Sequence, residues 1–224
     1  MNFTVPEVAA MMDLSAVQAE HGRDEISRLI DLVKKHEVAV LYTLPSFLEM
    51  AKAMLGSDSK TLLGAPVGFP SGGDTTADKV SQTKRLVDLG CGELDMVINV
   101  GKLRSALDDD VAEDIFQVKQ AAGNVPLKVI LECHHLNDEL IKKGCRLSLD
   151  AGADWIKTGT GWTPSGATAE NIALIKSVVG DRAGVKASGG VRDLKTLKQF
   201  YKLGARRFGV NLNSGESILK EAAV

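Results

Sequence analysis

The chain is poor in cysteine and in aromatic residues, and it contains no long apolar run. Its 224 residues include 3 cysteines, and aromatic residues make up 4% of the sequence. An odd cysteine number without a CxxC spacing argues against a disulfide scaffold and favours a reducing compartment. No segment approaches the ~20 apolar residues of a membrane span, and the N-terminus lacks a secretion signal. We therefore expect a cytoplasmic protein with no membrane partner.

An excess of charge of one sign is also lacking. The 27 basic residues are balanced by 29 acidic ones, which gives a formal net charge of −2. No basic run or aromatic-basic patch is present, so we expect no nucleic-acid partner. The hydrophobic fraction of 44% is typical of a globular protein. The length suits a single α/β barrel domain over residues 1–224.

Apolar runs of strand length alternate with amphipathic stretches of helix length. The predicted strands cover residues 9–14, 38–43, 61–69, 94–100, 127–133, 154–158, 183–187 and 207–211. The predicted helices cover residues 24–35, 45–55, 75–89, 104–122, 138–151, 169–179, 194–203 and 217–222. This alternation predicts parallel strands and a closed (β/α)8 TIM barrel. An open doubly wound sheet would need a glycine-rich fingerprint after the first strand, where none is present.

Acidic and basic residues lie near the predicted strand ends that hold the active site of such a barrel. Asp13 ends the first strand, Asp95 lies within the apolar fourth strand, and Lys157 and Lys186 lie near the ends of the sixth and seventh. Two neighbouring ammonium groups repel each other, so one lysine should lose its proton near neutral pH. A neutral amine beside a carboxylate predicts Schiff-base chemistry on a carbonyl substrate. A structural Asp95–lysine pair is the alternative interpretation.

A segment rich in glycine and hydroxyl residues follows Lys157. Such a segment offers backbone N–H groups and hydroxyls to an anion. Further glycines follow the seventh and eighth strands, where TIM barrels usually bind phosphate. These candidate anion-binding residues are Thr158, Thr160, Gly161, Gly189, Gly190, Gly209, Asn211 and Ser214.

Four segments resemble the deoxyribose-phosphate aldolases, which are class I (Schiff-base) aldolases on a (β/α)8 barrel. They are Gly-Phe-Pro at 68–70, Leu-Asp-Met-Val-Ile-Asn-Val-Gly at 94–101, Ile-Lys-Thr-Gly-Thr-Gly at 156–161 and Val-Lys-Ala-Ser-Gly-Gly-Val-Arg at 185–192. The resemblance implies that Lys157 forms an imine with the aldehyde donor. It also implies that Lys186 depresses the pKa of Lys157 and that Asp95 works with a bound water in proton transfer.

The resemblance further implies the reversible cleavage of 2-deoxy-D-ribose 5-phosphate into D-glyceraldehyde 3-phosphate and acetaldehyde. It implies a reaction that needs neither a cofactor nor a metal. It also implies that the protein forms a homodimer or homotetramer. The substrate-binding residues would be Asp13, Ser15, Tyr42, Thr158, Thr160, Gly161, Gly189, Gly190, Gly209, Asn211 and Ser214.

Several residues depart from the pattern of this family. Tyr42 stands where the family usually has cysteine, and Trp162 stands where it has a smaller aromatic or a basic residue. The segment 209–215 is also longer, by about two residues, than the family's Gly-X-Ser-Ser. These departures leave open an aldol substrate other than deoxyribose 5-phosphate.

Two other functions remain possible from the sequence. A metal-dependent lyase or isomerase could use Glu132, Cys133, His134 and His135. Adjacent strand residues point to opposite faces, however, so these four cannot all converge on one ion. The other possibility is a non-catalytic sugar-phosphate-binding barrel, for which two buried lysines and an aspartate would be costly.

Overall fold

The computed structural model describes residues 3–224, in which eight parallel strands close into a barrel. Each strand pairs with the next along the chain, and β1 pairs with β8. The strands are β1 (Met12–Ala16), β2 (Val40–Thr43), β3 (Leu62–Val67), β4 (Glu93–Val97), β5 (Leu127–Ile130), β6 (Trp155–Lys157), β7 (Gly184–Ser188) and β8 (Arg207–Asn211). The predicted (β/α)8 barrel is confirmed, and the first two residues of the expected domain lie outside the described part.

Helices surround the barrel on its outer face. They are α1 (Val5–Ala9), α2 (Arg23–His36), α3 (Leu48–Leu55), α4 (Thr76–Asp88), α5 (Val100–Arg104), α6 (Asp108–Ala122), α7 (Asp138–Asp150), α8 (Ala169–Val179), α9 (Leu194–Lys202) and α10 (Leu212–Ala222). Two 3-10 turns cover Pro45–Phe47 and Cys133–His135. None of the helices within residues 3–224 is long and apolar enough to cross a membrane.

Local conformation explains three of the differences between the observed and the predicted elements. The first strand begins later than expected because α1, whose N-terminus Thr4 and Glu7 close as a capping box, takes up its first residue. The predicted helix 104–122 is two helices, α5 and α6, separated by Ala106 in a left-handed conformation. The last helix starts at Leu212 instead of residue 217, because the Asn211 side chain caps it by accepting from the Ser214 N–H.

Strand alternation separates a charged barrel interior from an apolar outer layer. On β4, for example, Asp95 faces inward while Leu94 and Met96 on either side face the helices, as the two-residue period requires. Leu14 on β1 reaches α10, where a Cβ atom on Gly215 would lie 2.4 Å from its side chain. Hydrophobic burial therefore takes place mainly between barrel and helices, which leaves the barrel interior free to hold functional groups.

A buried ion pair joins two of the outer helices to the barrel. Lys79 Nζ on α4 lies 2.5 Å from Asp114 Oδ2 on α6 and 3.1 Å from the carbonyl oxygen of Val97, which ends β4. Gly68 (φ 62°) lies directly over this lysine, and a Cβ atom there would be 2.7 Å from Lys79 Cε. The pair thus supports both the end of β4 and the loop after β3.

Asp114→Asn is expected to lower the free energy of unfolding by ~3–5 kcal/mol, because the Lys79 ammonium would stay buried without a counter-charge. Urea unfolding at neutral pH measures the loss. The double variant Lys79→Met/Asp114→Leu should recover most of it, since no buried charge remains. Lys60→Met, which removes an exposed ion pair with Glu37, is the control and should leave the midpoint unchanged. Equal effects of the two single variants would contradict a structural role for the buried pair.

Candidate active site

One carboxylate oxygen inside the barrel contacts two lysines. Asp95 Oδ2 lies 2.7 Å from Lys157 Nζ and 2.7 Å from Lys186 Nζ. The strands bring the lysines together because Lys157 on β6 and Lys186 on β7 are register partners. Asp95 on β4 reaches both from across the barrel. The structure therefore brings together the three residues that the sequence predicted to be catalytic.

The environment of Lys157 favours its neutral form. The pKa of Lys157 is lowered to about 8, with burial as the largest cause; the Asp95 carboxylate opposes this shift, and the Lys186 ammonium adds to it. Burial is thus a larger cause than the neighbouring ammonium, which the sequence analysis had emphasised. Lys157 is also the more accessible of the two lysines, with 8% of its surface exposed against 1% for Lys186.

Lys186 keeps its charge although it is buried more deeply. Burial opposes the charged form, but Asp13 and Asp95 raise the pKa of Lys186 above its ordinary value. Asp13 Oδ2 lies 2.6 Å from Lys186 Nζ, as an ion pair without the angle of a hydrogen bond. Burial also opposes ionisation of Asp95, yet the ammonium groups of Lys157, Lys186 and Lys128 hold its pKa well below the usual range. Near pH 8, therefore, Lys186 keeps its charge, whereas Lys157 is divided between its charged and neutral forms.

A third lysine and an arginine complete the charged interior, and the sequence analysis missed both. Lys128 on β5 is fully buried, and its ammonium pairs with Glu93 and donates to the Tyr42 hydroxyl. Arg207 donates to Asp13 at 2.6 Å and to Glu93 at 2.9 Å. The position of Lys128, flanked by apolar residues in a predicted buried strand, was a signal comparable to that of Asp95.

The charges of this interior balance without Lys157. Its carboxylates are Asp13, Glu93 and Asp95, and its other cations are Lys128, Lys186 and Arg207. Three negative charges therefore face three positive charges before Lys157 is counted. A proton on Lys157 would leave the buried cluster with one excess positive charge, whose burial is unfavourable.

A very small cavity, of about 20 Å³, lies over Lys157. This is room for about one water molecule. We call it the catalytic cavity, and it is lined by Asp13, Ser15, Val17, Tyr42, Pro66, Phe69, Asp95, Lys157, Thr160, Lys186, Ser188 and Gly209. Thr158, which the sequence analysis placed in the site, does not line it: its hydroxyl donates to the Ser188 carbonyl and accepts from the Ser188 N–H.

A larger polar cavity of about 310 Å³ adjoins the catalytic cavity. We call it the anion cavity. Six predicted substrate-binding residues beyond Ser15 and Thr160 line it: Gly161, Gly189, Gly190, Gly209, Asn211 and Ser214. Gly161, Gly189 and Gly190 have positive φ angles of 83°, 80° and 112°, which turn the backbone in ways that other residues rarely adopt.

Six further residues with polar side chains line the anion cavity and were missed from the sequence: Gln18, Thr163, Ser165, Thr168, Ser188 and Arg192. Arg192 supplies the positive charge among the described lining residues. It directly follows the Gly-Gly-Val run, so its place in the motif was visible even though its orientation was not. The N-terminal end of α10 also borders this cavity through Asn211 and Ser214, and a helix N-terminus favours an anion.

Glu132 and His134 fasten the loop between β6 and α8. The Glu132 carboxylate accepts from the N–H and hydroxyl of Thr160 and from the hydroxyl of Thr163. The His134 ring lies 2.6 Å from Ser165 Oγ, and burial raises the pKa of the Cys133 thiol to about 12. Within residues 3–224, no group of three or more His, Cys, Asp or Glu residues is arranged to hold a metal ion. These contacts give a structural role to Glu132 and His134, two of the four residues that the sequence analysis considered as metal ligands.

Trp162 ties three loops together above the catalytic cavity. Its indole N–H donates to the carbonyl oxygen of Val17 at 2.9 Å, and its ring packs edge-to-face against Phe69 with the centroids 5.6 Å apart. Val17 and Phe69 both line the catalytic cavity. Trp162, which departs from the family pattern, thus lies outside the cavity and packs against two residues of its wall.

Comparisons with known proteins agree with this geometry. The family model for the DeoC/LacD family aldolases matches residues 8–219. The deoxyribose-phosphate aldolase of Klebsiella pneumoniae is 39% identical over 223 residues, which cover 99% of this chain and 90% of that protein. The deoxyribose-phosphate aldolase of Streptococcus sanguinis is 41% identical over 210 residues, covering 93% and 94%.

A solved structure shows the same fold. A provisionally assigned deoxyribose-phosphate aldolase from Coccidioides immitis superposes with a TM-score of 0.94 at 32% identity, covering 100% of this chain and 88% of that one. The family match and the sequence relatives both extend over nearly the whole barrel, including the strands that carry the buried lysines. The chain therefore belongs to the DeoC/LacD family of aldolases, and it is a lyase.

Proposed function

We propose that this protein is a class I aldolase that reversibly cleaves 2-deoxy-D-ribose 5-phosphate into D-glyceraldehyde 3-phosphate and acetaldehyde. The observation that carries the proposal is the sharing of Asp95 Oδ2 by Lys157 and Lys186, at 2.7 Å each. A neutral amine is a nucleophile, and an adjacent ammonium and carboxylate can supply and remove protons. The names of the sequence relatives support the choice of substrate.

The covalent steps begin at Lys157. Its neutral amine attacks the aldehyde carbon of the open-chain sugar, and the carbonyl oxygen leaves as water after it has been protonated. The resulting iminium group accepts the electron pair of the C2–C3 bond, which breaks once the C3 hydroxyl has lost its proton. C3 becomes the aldehyde carbon of D-glyceraldehyde 3-phosphate, which leaves, and an enamine remains on Lys157. Protonation of the enamine and hydrolysis of the imine then release acetaldehyde. Asp95, whose Oδ2 contacts both lysine nitrogens, is positioned to move these protons with a water in the catalytic cavity.

The anion cavity is the proposed phosphate site. It adjoins the catalytic cavity, since Ser15, Thr160 and Gly209 line both. Arg192 would neutralise part of the phosphate charge, and the glycine turns and the N-terminus of α10 would offer backbone N–H groups. The expectations of a cytoplasmic location, a homodimer or homotetramer and a reaction without cofactor stay predictions.

Borohydride reduction in the presence of acetaldehyde should attach an ethyl group to Lys157, because the reducing agent fixes the imine as a secondary amine. Peptide mass spectrometry locates the label. Lys157→Met should abolish the label, while the exposed-surface variant Lys60→Met should be labelled like the wild type. A label on another lysine, or no label in the wild type, would contradict the proposed nucleophile.

The pH profile of kcat/KM should rise through about pH 8, where Lys157 loses its proton. Below this pH the amine is protonated and cannot attack the carbonyl, so activity falls as the pH is lowered. Lys186→Met should move this limb to higher pH, because it removes a charge that lowers the pKa of Lys157. Steady-state kinetics between pH 6 and 10 measure the limb. A limb that stays in place in Lys186→Met would argue against coupling between the lysines.

Arg192→Gln should raise KM for deoxyribose 5-phosphate by roughly ten- to a hundredfold, the effect of losing one charged hydrogen bond. The kinetics with unphosphorylated deoxyribose should change little, because that sugar carries no charge for Arg192 to bind. Lys195→Met, three residues along the chain, serves as the charge-matched control. Equal losses with both sugars would contradict the phosphate site.

A further inference from the structure

The ring of Tyr42 occupies a buried space that a glycine on the next strand leaves open. Tyr42 on β2 is 3% exposed, and its register partner on β3 is Gly64. A Cβ atom on residue 64 would lie 2.5 Å from the Tyr42 ring, which is too close for any real contact. The absence of a side chain at this one strand position therefore determines where the phenol oxygen lies.

The Tyr42 hydroxyl stands between a carboxylate and an ammonium. It donates to Asp95 Oδ1 at 2.7 Å and accepts from Lys128 Nζ at 2.9 Å. The direct distance between Lys128 Nζ and Asp95 Oδ1 is 3.6 Å. Lys128 also pairs with Glu93. The phenol thus occupies the place that Lys128 would need for a close contact with Asp95.

The direction of these hydrogen bonds follows from the groups involved. An ammonium has donors but no acceptor, so the proton of the Tyr42 hydroxyl can only be given to Asp95. Burial, followed by the nearby carboxylate charges, raises the pKa of Tyr42 well above its ordinary value, so the phenol keeps its proton. The ring face also lies 4.2 Å from Lys186 Nζ, within the range of a cation–π contact.

The two oxygens of Asp95 therefore have separate partners. Oδ1 accepts from the Tyr42 hydroxyl, while Oδ2 is shared by Lys157 and Lys186. We propose that Tyr42 is a positioning residue that holds Lys128 at 3.6 Å from Asp95, so that the ammonium groups that hydrogen-bond directly to this carboxylate are those of Lys157 and Lys186. The inference rests on the proposed function, because it assigns to Tyr42 an effect on the Lys157 nucleophile.

The consequence is a change in how tightly Lys157 holds its proton. The charged and titratable groups around Lys157 come from six strands: Asp13, Tyr42, Glu93, Asp95, Lys128, Lys186 and Arg207. Without the hydroxyl, Lys128 can approach Asp95 Oδ1 from 3.6 Å to hydrogen-bonding distance. Asp95 would then accept direct hydrogen bonds from three ammonium groups instead of two and would attract the Lys157 proton less. Lys157 would become neutral at a lower pH, and Asp95 would orient it less well.

Tyr42→Phe tests this inference, since it removes the hydroxyl and keeps the ring that packs on Gly64. We expect kcat/KM to fall roughly tenfold or more, as for a lost hydrogen bond to a charged group. The acidic limb of the kcat/KM profile should move to lower pH, because the closer Lys128 ammonium weakens the attraction of Asp95 for the Lys157 proton. The pH dependence of borohydride trapping on Lys157 should shift equally. Tyr201→Phe, which changes the other tyrosine of the chain, should alter neither.

The shift should disappear in a Lys128→Met background, where no third ammonium can approach Asp95. Gly64→Ala, which displaces an intact phenol, should reproduce the shift, and the thermal unfolding midpoint shows whether each variant is folded. An unchanged limb in Tyr42→Phe, a limb moved to higher pH, or a shift that persists without Lys128 would overturn the inference. Absence of any Lys157 adduct in the wild type would instead contradict the proposed function.

Discussion

The site depends on one interaction: the Oδ2 atom of Asp95 accepts hydrogen bonds from the two neighbouring lysines, Lys157 and Lys186. It lies 2.7 Å from a lysine that keeps its charge and 2.7 Å from one whose pKa falls to about 8. Both lysines are buried, and the difference arises because Lys186 has a second carboxylate, Asp13, at 2.6 Å, while Lys157 has no second one so close. A carboxylate shared in this way separates the roles of two otherwise identical side chains.

The barrel makes such a cluster possible by dividing its burial between two layers. Apolar side chains pack between strands and helices, where most of the hydrophobic stabilisation arises. The interior can then hold carboxylates and cations in equal number, each with a partner, which limits the cost of burying them. The mouth of the barrel holds two adjoining cavities of unequal size, a small one over Lys157 and a larger one beside Arg192.

Much of this architecture could be predicted from the alternation of apolar and amphipathic segments. Strand β8 and helix α8 were predicted with their observed ends. For α8, Thr168 caps the N-terminus and Gly180 follows the last helical residue. Errors arose where a side chain or a left-handed residue decides a boundary, as Asn211 and Ala106 do. Hydrophobic periodicity does not reveal such boundaries, since each depends on one side-chain hydrogen bond or on the backbone conformation of one residue.

The sequence by itself determined the eight-unit barrel and the presence of Lys157, Lys186 and Asp95 at its mouth, since strand period and order place them there. The tertiary structure alone decided which oxygen they share, that burial is the main cause of the lowered Lys157 pKa, and that Lys128 and Arg207 belong to the same cluster. The physical reason is that distances across a closed barrel depend on register and side-chain packing, which no single segment of the chain contains.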